Sequence, residues 1–455
     1  MISREALQDK VERLAAELGV TGAAVGVSTG GGTEYATTGI ANLTTGLPVG
    51  VETLFAAGSV TKVYSTSLLL TFVDDGQLDL DAPVRHYLPQ FRLREEDFSA
   101  QVTVRMLLQH TSGLPGSFMP DVAKSPGMLA EQLKILESCS FNYPPGQFWS
   151  YSNAGMLTGG RIVEVLSGQT WDDALRDRIL KPLGLRATTR TEEMILEPTA
   201  IGHVVDSETG ATRPTPRFQL DSGNGPAGTT LWCDIRAMIG FARMHLTGGR
   251  APGGGAVLSE AAVAAMQTPQ VEIPAGMGVD HWGLGWYLVG SGKELVLGHT
   301  GGNAGQHAML SVLPNQDGAI AVLTNSTTGV YFCARLTAML LEECFGVISP
   351  APAVPESSAS ATDLGRFVGT YVADEGHVVV TEKDNVLRLV HEVDPVFGDM
   401  MSLLFPVFPP PPMTLTPLGN GSFAGDGGMP VSFVCPSDTA PADYAFVGRV
   451  FRRKN

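Results

Sequence analysis

The chain has 455 residues, and 30 Lys and Arg against 46 Asp and Glu leave a formal charge of −16 at pH 7. With 44% hydrophobic and 17% charged residues the composition is globular, which excludes disorder as the main state. The acidic balance, with no basic block before Arg452-Arg453-Lys454, argues against a nucleic acid partner, whose phosphates need clustered positive charge.

The start, Met-Ile-Ser-Arg-Glu-Ala-Leu-Gln, has no basic stretch leading into an apolar one. The expectation is therefore a cytoplasmic protein. Aliphatic runs such as Leu68-Leu69-Leu70 stop well short of the ~20 residues that span a bilayer, so no membrane partner is expected. Leu7, Val11, Leu14 and Leu18 recur at helical spacing before Gly19, which predicts an amphipathic helix over 4–18. Residues 22–30 and 33–39, on either side of the turn Gly30-Gly31-Gly32, predict two antiparallel strands. A second helix is predicted from about Val60 to Asp75.

Far along the chain, a short strand-like run over 294–297 precedes a hairpin, 305–313 and 319–325 around Pro314-Asn-Gln-Asp-Gly, and a helix near 329–345 follows. The segment 349–361 is rich in Pro, Ser and Ala, which is linker chemistry. We divide the chain there into a catalytic domain over 1–348 and a small β domain over 362–455. The latter carries β-like runs at 367–372, 377–381, 386–391 and 444–451 and is read as barrel-like. Phe408 and the four prolines after it form either a rigid loop or a polyproline recognition segment. The five cysteines, Cys139, Cys233, Cys333, Cys344 and Cys435, show no metal-ligand spacing and are read as reduced. Neither a metal nor a cofactor is expected.

Three short motifs carry chemistry. Ser59-Val60-Thr61-Lys62 opens the second helix, where residues three apart lie on one face and their side chains can meet. A serine hydroxyl needs a base to become a nucleophile, and a lysine serves if burial or a nearby cation lowers its pKa. Read alone, Ser59 is equally well a helix cap. In Tyr151-Ser152-Asn153 a phenol can relay a proton and an amide can hold a substrate carbonyl or orient the lysine, or the tyrosine is simply a buried loop residue. His299-Thr300-Gly301-Gly302 offers small residues against which a substrate backbone can lie, and the amide of Gly302 can join that of Ser59 as an oxyanion hole.

Ser-x-x-Lys, Tyr-x-Asn and His-Thr-Gly-Gly in this order resemble the three active-site motifs of the serine β-lactamase and penicillin-binding-protein superfamily, in its class C-like branch. Flanking text agrees, including Val104-Arg-Met-Leu-Leu-Gln-His-Thr-Ser-Gly-Leu-Pro and Gly225-Pro-Ala-Gly. The resemblance covers about residues 5–345. It implies an α/β catalytic domain, with a five-stranded antiparallel sheet flanked by helices beside a helical region, and an acyl-enzyme on Ser59. It further implies that Lys62 and Tyr151 share the acid–base work, and that Asn153, His299, Thr300 and Gly301 bind substrate. His299 stands where many penicillin-binding enzymes have a lysine. An ordinary histidine is mostly neutral at pH 7, which argues against strong β-lactamase action and resembles the esterase and amidase members instead. His110 is read as structural, and His307 either lines the site or caps the hairpin. The C-terminal module resembles the lipocalin-like domain appended to such hydrolases.

The leading expectation is a serine hydrolase or acyltransferase acting on an ester, thioester or amide. An alternative is a penicillin-binding-protein-type thioesterase that closes a nonribosomal peptide into a ring. A third, of another class, is a non-catalytic module that binds an acyl ligand. Oligomeric state leaves no mark on the sequence.

Overall fold

The structure is a computed structural model that describes residues 2–454 except 121, 207–208, 221, 275–276, 349–362, 420 and 438. The expected linker thus lies outside the described residues. In chain order the elements that build the site are helix α1 (Arg4–Glu17), strands β1 (Gly22–Thr29) and β2 (Gly32–Asn42), and helices α2 (Thr61–Asp74), α3 (Asn153–Ser167) and α4 (Ile235–Leu246). Strands β3 (Val296–Asn303), β4 (Gln306–Leu313) and β5 (Gly318–Thr324) follow, then helix α5 (Gly329–Phe345).

The five long strands pair antiparallel in the order β2-β1-β5-β4-β3, and short strands of two or three residues extend the sheet at both edges to nine. The family's five-stranded sheet is therefore its long-stranded centre. Alternation sorts the two faces: Val25, Val27, Ile320 and Val322 pack against Leu7, Val11 and Leu14 of α1 and Phe332, Leu336 and Leu340 of α5. Ala24, Ala321 and Leu323 point the other way, toward α4 and the helical region. Each buried leucine or phenylalanine contributes roughly 1.5–3 kcal/mol relative to exposure.

α2 runs through the middle of that helical region, and all but its last two residues, Lys62 included, are buried. A helix apolar on every side must be enclosed, and α3 and the segment 222–227 enclose it. Two expectations change in detail. His299 sits inside an eight-residue strand rather than beyond a short one, because glycine-rich β3 is held by its neighbours and not by strand propensity. The stretch 444–451 is two strands, Tyr444–Phe446 and Val450–Arg453, parted by a turn at Gly448 (φ 70°).

The C-terminal segment closes eight antiparallel strands into a barrel around Phe367, Tyr371, Leu389 and Phe433. Three of its strands, Met413–Gly419, Ser422–Ala424 and Pro430–Val434, escaped the sequence reading. So did a short helix, α6 (Pro395–Met401), capped by Asp394 and thrown out between the third and fourth barrel strands. The proline run is a loop leading from α6 back into the barrel. Among the described residues no helix is long and apolar enough to cross a membrane. All five cysteines are free.

Candidate active site

Ser59 lies in a single 3-10 turn, Gly58–Val60, that feeds directly into α2. Ser59 Oγ lies 3.1 Å from Lys62 Nζ, and Tyr151 lines the same cavity beside Ser59. Lys62 Nζ also donates a short hydrogen bond to the carbonyl of Ala227 and stands 4.7 Å from the centroid of the Tyr151 ring. Burial, with Arg449 as a second cause, holds the Lys62 pKa well below the usual lysine value. Burial drives the Tyr151 phenol the other way, upward, although Ser59 and Arg449 oppose the shift. The trio thus sets a hydroxyl beside an amine that gives up its proton more readily than an ordinary lysine and a phenol that keeps its own. That combination can take a proton from Ser59 at nitrogen and return one at oxygen.

Backbone amides frame the other side of Ser59. Gly58 has φ 54°, and a side chain there would run into the amide of Gly302. A methyl at Gly301 would lie 3.1 Å from the amide nitrogen of Ser59 and overlap the Ala57 carbonyl. The backbones at Ser59 and Gly302 therefore approach closely across two glycines, where a side chain would not fit. Along the outer edge of β3 the neighbouring strand pairs only with Val296, Leu297 and Gly298, so 299–303 have no strand partner there.

His299 is buried, and its Nδ1 lies 2.6 Å from the carbonyl of Thr300. A carbonyl only accepts, so Nδ1 carries the proton and Nε2 is an acceptor, buried and unpartnered among the described residues. Burial, aided by Lys62, lowers the His299 pKa to about 3. The ring is neutral at pH 7 and holds no anion by charge. Thr300 is exposed, with its carbonyl turned to His299.

The Tyr151 loop is clamped from several directions. Ser152 caps α3 by accepting from the amide of Gly155, and the amide of Asn153 donates to Gly116 at 3.0 Å. His110 accepts the amide of Ser152 on Nδ1 at 3.1 Å and the amide of Ser150 on its carbonyl, while its ring packs on Tyr151. His110 acts as a strut for the loop, and its φ of 58° is strained for a residue with a side chain. Asn153 lines the cavity, and Lys62 is oriented by Ala227. His307 also lines the cavity, and its Nε2 donates to the carbonyl of Leu404 at 2.7 Å.

The cavity at Ser59 measures about 500 Å³ and is walled by Trp149, Trp282, Tyr287 and Met309 from the sheet side. The C-terminal domain adds a further wall, with Phe397, Met401, Leu404 and Arg449. Sequence reasoning named none of these four residues. Arg449 sits in the turn that splits the expected strand, 5.9 Å from the Tyr151 ring centroid, and pairs with Glu375 and Ser117. Asp374 fastens the same contact by accepting the amides of Gly116 and Ser117 at 3.1 and 2.7 Å. The only sequence signal was the pair Gly448-Arg449 inside a β-like run. Among the described residues no cluster of His, Cys, Asp and Glu is fit to hold a metal.

Comparison with known proteins agrees with this geometry. The profile of the Beta-lactamase family matches residues 7–343. The chain belongs to the β-lactamase family. "Penicillin-binding protein 4" of Amycolatopsis lactamdurans is 36% identical over 377 residues, 81% of this chain and 97% of that protein. "Esterase EstB" of Burkholderia gladioli is 38% identical over 162 residues, 32% of this chain and 41% of its own. The crystal structure of SurE superposes with a TM-score of 0.81 at 28% identity, covering 99% of both chains, so the likeness spans the barrel as well as the sheet. The family's relatives include esterases, amidases and penicillin-binding proteins, and the chain is a serine hydrolase by family.

Proposed function

We propose that the protein forms an acyl-enzyme on Ser59 from an ester, thioester or amide and passes the acyl group to water or an amine. The observation that carries this is the meeting of Ser59 with Lys62 and Tyr151 where the backbone of Gly301 and Gly302 comes close. Lys62 takes the Ser59 proton as Oγ bonds to the substrate carbonyl carbon, and the amides of Ser59 and Gly302 receive the charge that develops on oxygen. The carbon–leaving-group bond then breaks, Tyr151 gives its proton to the leaving group, and Lys62 restores the phenol. The acceptor reverses the sequence, losing its proton to the same pair and cleaving the acyl–Oγ bond. Asn153, Thr300 and Gly301 lie where they can hold the substrate, along the open edge of β3.

A second reading is that the acceptor is the amine end of a peptide acyl chain so that a ring closes, which uses the same residues and differs only in the acceptor. A structure of SurE with D-Leu belongs to the same set of matches. Neutral His299 supports esterase-like rather than strong β-lactamase chemistry in either case. The test is release of leaving group from p-nitrophenyl esters and N-acetylcysteamine thioesters by wild type and Ser59→Ala, with products separated into free acid, amine adduct and ring. Turnover dependent on Ser59 supports the reading, and equal turnover by the variant overturns it.

A further inference from the structure

A second cavity of about 660 Å³ adjoins the one at Ser59. Val447, His391 and Phe451 at the mouth of the C-terminal barrel form one side of it, and the loop with Phe408 and Pro410 forms another. Met277, Phe397, Met401, Phe405, Gly448 and Arg449 line both cavities, so the two share a common wall. Each falls within the ~300–1,000 Å³ of pockets that hold a drug-sized ligand, and barrel mouths are a recurrent place for them. Three methionines and four phenylalanines line it, side chains that adapt to varied apolar groups, with the charged Glu375, Glu392, Asp426 and Arg449 among them. His391 adds a polar point, because its Nε2 is buried without a partner among the described residues. Burial lowers the His391 pKa, so the ring is offered as a neutral group.

On the other side of α6 the catalytic cavity meets a different space. That region, about 440 Å³, is bordered by Met119, Leu220, Val396, Phe397 and Met400 and by six polar residues, among them Arg217, Asp374, Asp394 and Asp399. Helix α6 thus separates the annex from a more polar approach. An acyl acceptor, whether water or an amine, suits the polar side, and a long apolar acyl group suits the annex.

We propose that the barrel-mouth cavity is a subsite for the distal part of the acyl donor, and that the enzyme acts on long acyl groups bearing apolar chains. This rests on the acyl-Ser59 reading and specifies its substrate class. A fatty acyl chain and a peptidyl chain with apolar side chains share this chemistry. The test uses N-acetylcysteamine thioesters of acetyl, decanoyl and an apolar hexapeptidyl group on wild type, His377→Trp and Met429→Trp. Both substituted residues border the annex and not the cavity at Ser59.

The expected result is a fall of at least about tenfold in the ratio of long-acyl to acetyl kcat/KM, as loss of roughly two buried methylenes would give. Whichever long substrate loses more identifies the natural kind. Decanamide binding to Ser59→Ala protein, measured by calorimetry, is expected to weaken by a similar factor in the same Trp backgrounds. Unchanged ratios together with unchanged decanamide binding in folded variants would overturn the subsite. Decanamide binding that weakens as expected, in a protein whose wild type shows no Ser59-dependent turnover, would uphold the subsite and sink the acyl-enzyme reading instead.

Discussion

The two halves of the site are built by different means. In the sheet domain Ser59, Lys62, Gly301 and Gly302 are fixed by a buried helix and a strand, and their positions are dictated by backbone contacts. In the barrel, Arg449 sits in a turn and Phe397, Leu404 and Phe405 come from a short helix and its following loop, held by an ion pair, His307 and a few backbone hydrogen bonds. Rigid elements place reacting atoms to within a fraction of an ångström, whereas loops and turns adjust to what is bound. The contrast teaches that the sheet domain supplies the chemistry and the barrel shapes what reaches it.

Removing the nucleophile should break this division most sharply. We expect Ser59→Ala to lose at least ~10³-fold in turnover of any ester while keeping its fold, as measured by initial rates and thermal unfolding. Lys62→Met should cost ~10²–10⁴-fold, the usual range for a positioned base. Its stability should also depend on pH differently. A lysine whose folded pKa is depressed keeps its proton in the unfolded chain but not in the folded one between the two pKa values, so wild-type stability rises with pH across that window. The variant lacks that contribution, and the difference between the two denaturation series should approach about 1.4 kcal/mol per pH unit.

Gly301→Val places a side chain on the Ala57 carbonyl and beside the Ser59 amide. Loss of the oxyanion geometry should lower kcat by ~10²–10³-fold with a smaller effect on KM. On the barrel side the expected effects are milder. Arg449→Ala removes a cation that helps to lower the Lys62 pKa and leaves Glu375 nearby without its partner, so the rising limb of kcat/KM should move to higher pH. Glu375→Gln keeps the arginine and removes the opposing charge, so it should move the limb slightly the other way. A pH–rate profile for each variant measures this, and limbs that coincide with wild type would detach the barrel from the chemistry.

What could be read in the sequence follows the same division. Ser59 and Lys62 share a helical spacing that lets their side chains meet, Tyr151 and His299 stand out only through the resemblance of the three ordered motifs to a known family, and α1, β1, β2 and α5 announce themselves by periodicity. The contribution of Ala227 is a backbone carbonyl and leaves no trace in residue type. His299 was expected beyond a strand because glycines suppress β propensity, while pairing with β4 overrides it. Arg449 and α6 are invisible for a different reason. They are brought to Ser59 by a docking of two domains, and contacts between residues about 390 positions apart are not encoded in any local pattern. Met119 and Leu220 also line the cavity, from loops whose composition carries no signal of what they hold.

The central claim is a covalent acyl-enzyme on Ser59. Intact-mass spectrometry of wild type and Ser59→Ala after brief exposure to an activated acyl ester tests it most directly, with the leaving group followed in parallel. The expected result is a mass gain of one acyl group in wild type alone, lost again on adding an amine. A wild-type protein that releases the leaving group without ever gaining mass, or a Ser59→Ala protein that gains it equally, would contradict the account.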